Sequence, residues 1–304
     1  MTIDEQLPET IATLLRDGRR AYEGERPAEA LDLFRRARDL ADEAGNRRAS
    51  DRAFVNECAV LIGLERAAGI ADESLQRLRE MLMAGDPVNA RLAAYNIARA
   101  YEFQKEFLKG LFYARIALDR ATVLDRADWI ASSRNQIGNL LLAESRMEEA
   151  CDEYRSALEL LPEGPSSQRA LILTNLGYSR AVLGQLRDGA RLIYDSLRML
   201  RSVGARREQV IPLLDLSYVL LKLERPKLSM KHGLRALELA EHNGEKDSVR
   251  LAYYLLGEAA QQAGDTAGAR AYFERLQRRF FPSYERLADF LFTVDIRNLV
   301  NLKA

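Results

Sequence analysis

The stretch Asn135–Pro162, NQIGNLLLAESRMEEACDEYRSALELLP, decides the fold. Ile137, Leu141 and Leu142 mark the apolar side of a first helix, with Gly138 as a small residue on that side. Ser145 and Arg146 break the pattern. Ala150, Tyr154, Ala157 and Leu161 then follow at spacings of three and four, the signature of one face of a second helix. Pro162 ends that helix because it lacks the N–H a helix interior needs, and Gly164 and Pro165 reinforce the stop. Two helices joined by a short turn approach closely only where side chains are small. Gly138 and Ala150 therefore mark the crossing, and Tyr154 fills the space beside it.

The same hairpin recurs along the chain. The small residue of the first helix returns at Ala98, Gly138, Gly177, Ser217 and Gly257, in steps of 40, 39, 40 and 40. That of the second helix returns at Ser74, Gly110, Ala150, Gly189, Ser229 and Ala269, in steps of 36, 40, 39, 40 and 40. A third series, Gly45, Gly85, Gly164, Gly204 and Gly244 with Asp125 at the missing rung, falls where each second helix must end. Glycine is expected there in the left-handed position that closes a helix. Three series with one period predict an all-α solenoid of about seven hairpins.

The chain resembles the tetratricopeptide repeat (TPR) family on these residues. Ile137-Gly138, Ala150, Tyr154, Ala157 and Pro162 match the family pattern, as do Asn175-Leu176-Gly177 and Leu256-Gly257 with Gly264-Asp265. The family's usual period is about 34 residues. A period near 40 is similar to the longer-repeat branch, which includes kinesin light chains, Leu-Gly-Asn repeat scaffolds and bacterial peptide-sensing regulators. The resemblance covers residues 10–281 and implies that the hairpins wind into a right-handed superhelix, with a C-terminal capping helix after them.

Taken in order, residues 1–9 are polar and expected to fray. Ile11–Tyr22 and Pro27–Ala41 form a first, less regular hairpin, with Pro27 in a first turn where a missing N–H costs nothing. The Asn46–Ser50 segment reads as a loop. Repeat two spans Asp51–Ala84 and turns at Gly69; repeat three spans Asn89–Val123, with Lys105 in a turn expected to manage without a left-handed residue. The quoted hairpin is repeat four, preceded by the only tryptophan, Trp129. Repeats five, six and seven span Ser167–Val203, Glu208–Asn243 and Lys246–Phe280. None of the eight prolines falls in a helix interior. The array thus covers 10–281, and 282–304 forms a last segment in which Ser283–Leu302 reads as a capping helix with Leu287, Leu291, Val294 and Leu299 on its apolar stripe. Phe290 and Phe292 lie off that stripe, joining either the cap or a contact surface.

Composition excludes several classes. Basic and acidic residues balance at 45 each, so net charge attracts neither nucleic acid nor membrane. No apolar run is long enough to span a bilayer. MTIDEQLPET has no basic-then-apolar leader, and Cys58 and Cys151 sit in different repeats with another between them, which points to reduced thiols and a cytoplasmic protein. Enzyme chemistry lacks its parts. The two histidines, His232 and His242, neighbour no cysteine, and no zinc pattern, phosphate loop or nucleophile elbow is present, so no metal and no cofactor is expected.

The candidate site lies on the first helices. The residue just before each small-residue pair reads Asn96, Gln136, Asn175 and Asp215, and three places later Arg99, Asn139, Tyr178 and Tyr218. A spacing of three puts each pair on one helical face. An amide offers both a donor and an acceptor, so it can pair with both groups of a peptide unit. With rungs about 10 Å apart and about 3.3 Å per extended residue, four rungs span roughly ten residues of backbone. Val60 and Leu255 occupy the equivalent positions at either end, which limits the ladder to four repeats. The resemblance implies that the first helices line a concave groove and that the chain is an adaptor holding an extended peptide or protein tail there. On that reading Asn96→Ala with Asn175→Ala is expected to weaken partner binding and leave thermal stability nearly unchanged. The alternatives are a peptide-sensing regulator, for which no separate output domain precedes the repeats, and a homodimer formed through the first repeat or the C-terminal helix.

Overall fold

The computed structural model describes residues 8–24, 26–64, 66 and 70–294, which form fifteen α-helices and no strand. They come in pairs: α1 (Glu9–Glu23) and α2 (Pro27–Glu43), α3 (Arg47–Gly63) and α4 (Ile70–Met83), α5 (Pro87–Phe103) and α6 (Phe107–Val123), and α7 (Ala127–Ala143) and α8 (Met147–Glu159). The series continues with α9 (Ser167–Val182) and α10 (Leu186–Ser202), α11 (Val210–Lys222) and α12 (Pro226–Asn243), and α13 (Lys246–Gln262) and α14 (Thr266–Phe280), and closes with α15 (Leu287–Thr293). The chain divides into two compact units, Met1–Leu140 and Leu141–Ala304. In the first, α1 packs on α2, α5 on α6, and the first helices α3 and α5 on each other. In the second, α9 packs on α10, α11 on α12 and α13 on α14, while α9, α11 and α13 meet in succession.

The small-residue series sets how closely paired helices cross. At Gly177 and Gly189 the backbones nearly touch: a Cβ on Gly189 would lie 2.4 Å from the Gly177 carbonyl oxygen. Serine occupies both places in the next pair and keeps the approach by satisfying its own hydroxyls. Ser217 Oγ donates to Ser229 O at 3.1 Å, and Ser229 Oγ to Ser217 O at 2.8 Å. Where an aromatic ring fills the crossing, glycine faces it. Phe34 lies over Gly18 and Phe273 over Gly257, each closer than any Cβ would allow.

Both kinds of turn use a left-handed residue. Gly45, Gly85, Gly204 and Gly244 close second helices with φ of 63 to 73°, and Asp125 fills the missing rung at φ 50°. The turn inside repeat three departs from expectation, because Lys105 is itself left-handed at φ 59°. The reason lies in the hydrogen bonds. Lys105 N–H donates to Glu102 O and Glu106 N–H to Tyr101 O, the double closure that requires a left-handed residue whatever its side chain. Ser145 and Glu224 repeat the arrangement at φ 61° and 57°. The turn expected at Gly69 lies outside the described residues.

Two boundaries are corrected. Asn46–Ser50 is no loop: Asn46 caps α3, its Oδ1 accepting from Ala49 N–H at 3.1 Å, and Arg47–Ser50 form the first turn. The C-terminal helix is shorter than Ser283–Leu302. It begins at Leu287 after a turn and stops at Thr293, where Val294 is extended, and 295–304, with Leu299, lie outside the described residues. Gln277 ties α15 to α14, accepting from Ala288 N–H at 2.8 Å and donating to Glu285 O at 3.1 Å. Ala288 and Leu291 are buried and Phe292 packs with them, while Phe290 faces outward.

Gly189→Ala should lose about 1–3 kcal/mol of stability, the usual cost of overpacking a close contact. Urea denaturation of this variant beside wild type checks it; an unchanged midpoint would mean that α9 and α10 can separate freely.

Candidate functional site

The first polar series turns inward. Asn96 is 5% exposed, and its Nδ2 donates to Val55 O of the preceding first helix at 2.7 Å. Gln136 is 2% exposed and donates from Nε2 to Tyr95 O at 3.1 Å. Both reach back 41 residues, one repeat and one position. Gln262 makes the same kind of tie to Leu221 O, and Asn89 to Arg48 O. Asp215 is also buried, and Asn175 is half-buried. The amides of Asn96 and Gln136 thus hold successive first helices together, and Asn96 is no dispensable rung.

These ties also correct the register of the ladder. Val55 takes in α3 the place that Tyr95 takes in α5, so Asn56 and not Val60 is the counterpart of Asn96. The spacing 56, 96, 136 was available in the sequence. A further tie escaped it. Arg91 is buried between the rings of Tyr95 and Trp129, 4.6 and 4.9 Å from their centroids, and its guanidinium hydrogen-bonds Ser132 Oγ. An arginine–aromatic pair 38 residues apart is legible only once the repeat length is used to align them.

The second polar series divides. Arg99 and Asn139 in the first unit are half-buried, as is Tyr218 in the second. Tyr178 is 0% exposed and packs against the Tyr218 ring at 5.8 Å. Lys222 Nζ sits 5.6 Å over the Tyr218 ring, and burial raises the Tyr218 phenol above its usual range. Arg99, Asn139, Asn175 and Tyr218 therefore remain partly accessible on the first helices.

No family model and no curated protein sequence matches the chain. Solved structures do. The structure of a Rap protein complexed with competence and sporulation factor superposes with a TM-score of 0.72 at 13% identity, covering 91% of this chain and 77% of that one. The apo form of the quorum sensor NprR from B. thuringiensis gives 0.62 at 16% identity, covering 95% and 90%. A putative kinesin light chain from Podosopora anserina, described as having TPR-like repeats, gives 0.51 at 12% identity, covering 63% and 94%. The fold is that of a tetratricopeptide-repeat protein.

Burial sets the proton affinity of several groups in this repeat array. One turn beyond Arg99, enclosure by neighbouring helices pushes the Glu102 carboxyl up to about 7, and the Arg99 charge offsets this only in part. Both cysteines are free and buried, and burial pushes the Cys58 thiol up to about 12, far from a reactive thiolate. His232 Nε2 lies 3.3 Å from Tyr194 Oη, with burial holding the imidazole below its usual range. A cavity of about 190 Å³ lies at the ends of α4 and α6, lined by Met81, Pro87 and Val123 among others. It is smaller than the roughly 300–1,000 Å³ of small-molecule sites, and no residue of the polar rows lines it. Among the described residues, no helix is long and apolar enough to cross a membrane, and no acidic or histidine cluster could hold a metal.

Asn96→Ala or Gln136→Ala should each cost about 1 kcal/mol or more, the net worth of a buried hydrogen bond plus the space left behind. Thermal melts of each variant test this, and wild-type melting temperatures would refute the structural role. Glu102 supplies a pH test. Its folded-state proton affinity is raised, so stability is fully present below the usual carboxylate range and falls as pH rises through about 7. The loss is at most about 3 kcal/mol, at 1.36 kcal/mol per unit. Glu102→Gln should remove that component, leaving the variant relatively more stable at pH 8 than at pH 5; parallel pH profiles for the two proteins would count against it.

Proposed function

We propose that this chain is a binding scaffold that takes an extended peptide or protein segment along the polar faces of its first helices and does no chemistry on it. The observation that carries the reading is the division of labour between the two polar series. Buried Asn96 and Gln136 lock the first helices to their neighbours, and the partly exposed Arg99 and Asn139 one turn on are thereby held at fixed spacing. In the second unit Asn175 and Tyr218 play the accessible part, over the buried Asp215 and Tyr178. A preorganised row of donors and acceptors binds an extended backbone with little ordering cost on the receptor side. The aromatic face of Tyr218 adds contact area with a polar tip.

The Rap structure, which holds a bound competence and sporulation factor, and the quorum sensor NprR support a binding role for a repeat array of this fold. The buried free thiols suit a reducing, cytoplasmic setting.

The test is a selection from a displayed random-peptide library, followed by titration of a selected peptide. Arg99→Ala with Asn139→Ala, and separately Tyr218→Ala, should weaken binding by about tenfold or more, as expected of interface anchors, without lowering the melting temperature by more than a few degrees. Peptides that bind both variants as tightly as wild type would overturn the assignment of these faces.

A further inference from the structure

Leu108 and Phe112 on α6 are 69% and 60% exposed. They stand two residues before and two after Gly110, the small residue of this hairpin's second helix. The next three hairpins hold Glu148 and Asp152, Arg187 and Arg191, and Lys227 and Lys231 at the same two positions, all exposed. The remaining hairpins hold alanine, aspartate or glutamine there. Position within the repeat therefore does not account for two large apolar side chains. Their spacing of four puts them side by side, about 5–6 Å apart at Cβ. The Phe112 ring is also braced, packing edge-on against Tyr113 at 5.1 Å, which in turn stacks on Tyr101 at 5.7 Å. A rigid aromatic beside an aliphatic side chain is the usual core of a protein contact.

The surrounding charge selects the occupant. Lys109 and Arg115 stand three residues to either side of Phe112, and Lys105 lies in the left-handed turn that leads into α6. Lys109 pairs with Glu106. Among the described residues, neither Lys105 nor Arg115 makes an ion pair. A second copy of this chain fits poorly. An antiparallel two-fold centred on Phe112 sets Lys109 against Arg115, and a parallel one sets each cation against itself. An anionic membrane fits poorly as well. Three cations contribute about 1 kcal/mol each there, and two apolar side chains are far less than the face of a membrane-surface helix.

We propose that the outer face of α6 docks an amphipathic helix of a partner protein, its apolar anchors seated on Leu108 and Phe112 and its flanking carboxylates on Lys105, Lys109 and Arg115. This surface is separate from the polar rows of the first helices.

The probes are a synthetic helical peptide with two leucines four apart flanked by glutamates, its counterpart with lysines for glutamates, and phosphatidylserine-containing vesicles. Fluorescence anisotropy with the full chain should show binding of the acidic peptide alone. Leu108→Gln with Phe112→Gln should weaken it by about tenfold or more. Lys109→Gln with Arg115→Gln should weaken it and reduce its salt dependence. Most other hairpins carry at least one charged or polar residue where Leu108 and Phe112 stand, so the Leu108→Gln with Phe112→Gln variant should melt like wild type. Arg99→Ala with Asn139→Ala should leave this binding unchanged, which separates it from failure or success of the row assignment. The proposal falls if both peptides bind equally, if neither binds, if vesicles bind in their place, or if sedimentation shows a dimer that the glutamine variant abolishes.

Discussion

Two helices can cross at backbone distance only where neither carries a side chain that collides, and the α1–α2, α9–α10, α11–α12 and α13–α14 hairpins are arranged around that limit. Gly177 and Gly189 meet it by having no side chain. Ser217 and Ser229 meet it by turning each hydroxyl onto the other helix's carbonyl, which prevents a buried polar group from going unpaired. Gly18 and Gly257 meet it from one side only and let a phenylalanine ring take the released space. The close approach fixes the angle and register of each pair. Register then decides which residues of neighbouring first helices face one another.

Register is what makes the polar ties work. A side chain that reaches 41 residues back does so because the repeat brings each first helix alongside its predecessor with a shift of one position. Carbonyls inside a helix already accept one N–H, so Val55 O and Tyr95 O use a second lone pair for Asn96 and Gln136. An apolar residue in these places would pack but would leave sliding unopposed. The amide makes the shift specific.

Much of this was legible before any coordinates. Helix pairs, their small-residue crossings and the glycine-closed ends follow from periodicity, because each depends on one residue type at one spacing. What stayed hidden depends on choices that spacing does not record. An asparagine before the small residue has the same period whether its amide faces solvent or the preceding helix, so Asn96 read as a binding rung when it is a tie. Lys105 read as an ordinary turn residue because glycine is the usual marker of left-handed backbone, whereas paired hydrogen bonds impose that conformation on lysine. Asn46 favours loops and helix caps alike, and only the hydrogen bond to Ala49 separates them.

The repeat is also its own control. When one position is exposed in every hairpin and charged in most, a large apolar residue there cannot be explained by folding, since the fold tolerates charge at its counterparts. This reasoning sets Leu108 and Phe112 apart from other exposed apolar residues such as Val123 or Leu234, which lie outside that row of equivalent positions. It also explains why the polar first-helix rows are the harder case. There every hairpin varies, and burial alone shows which variation builds the array and which is left to meet a partner.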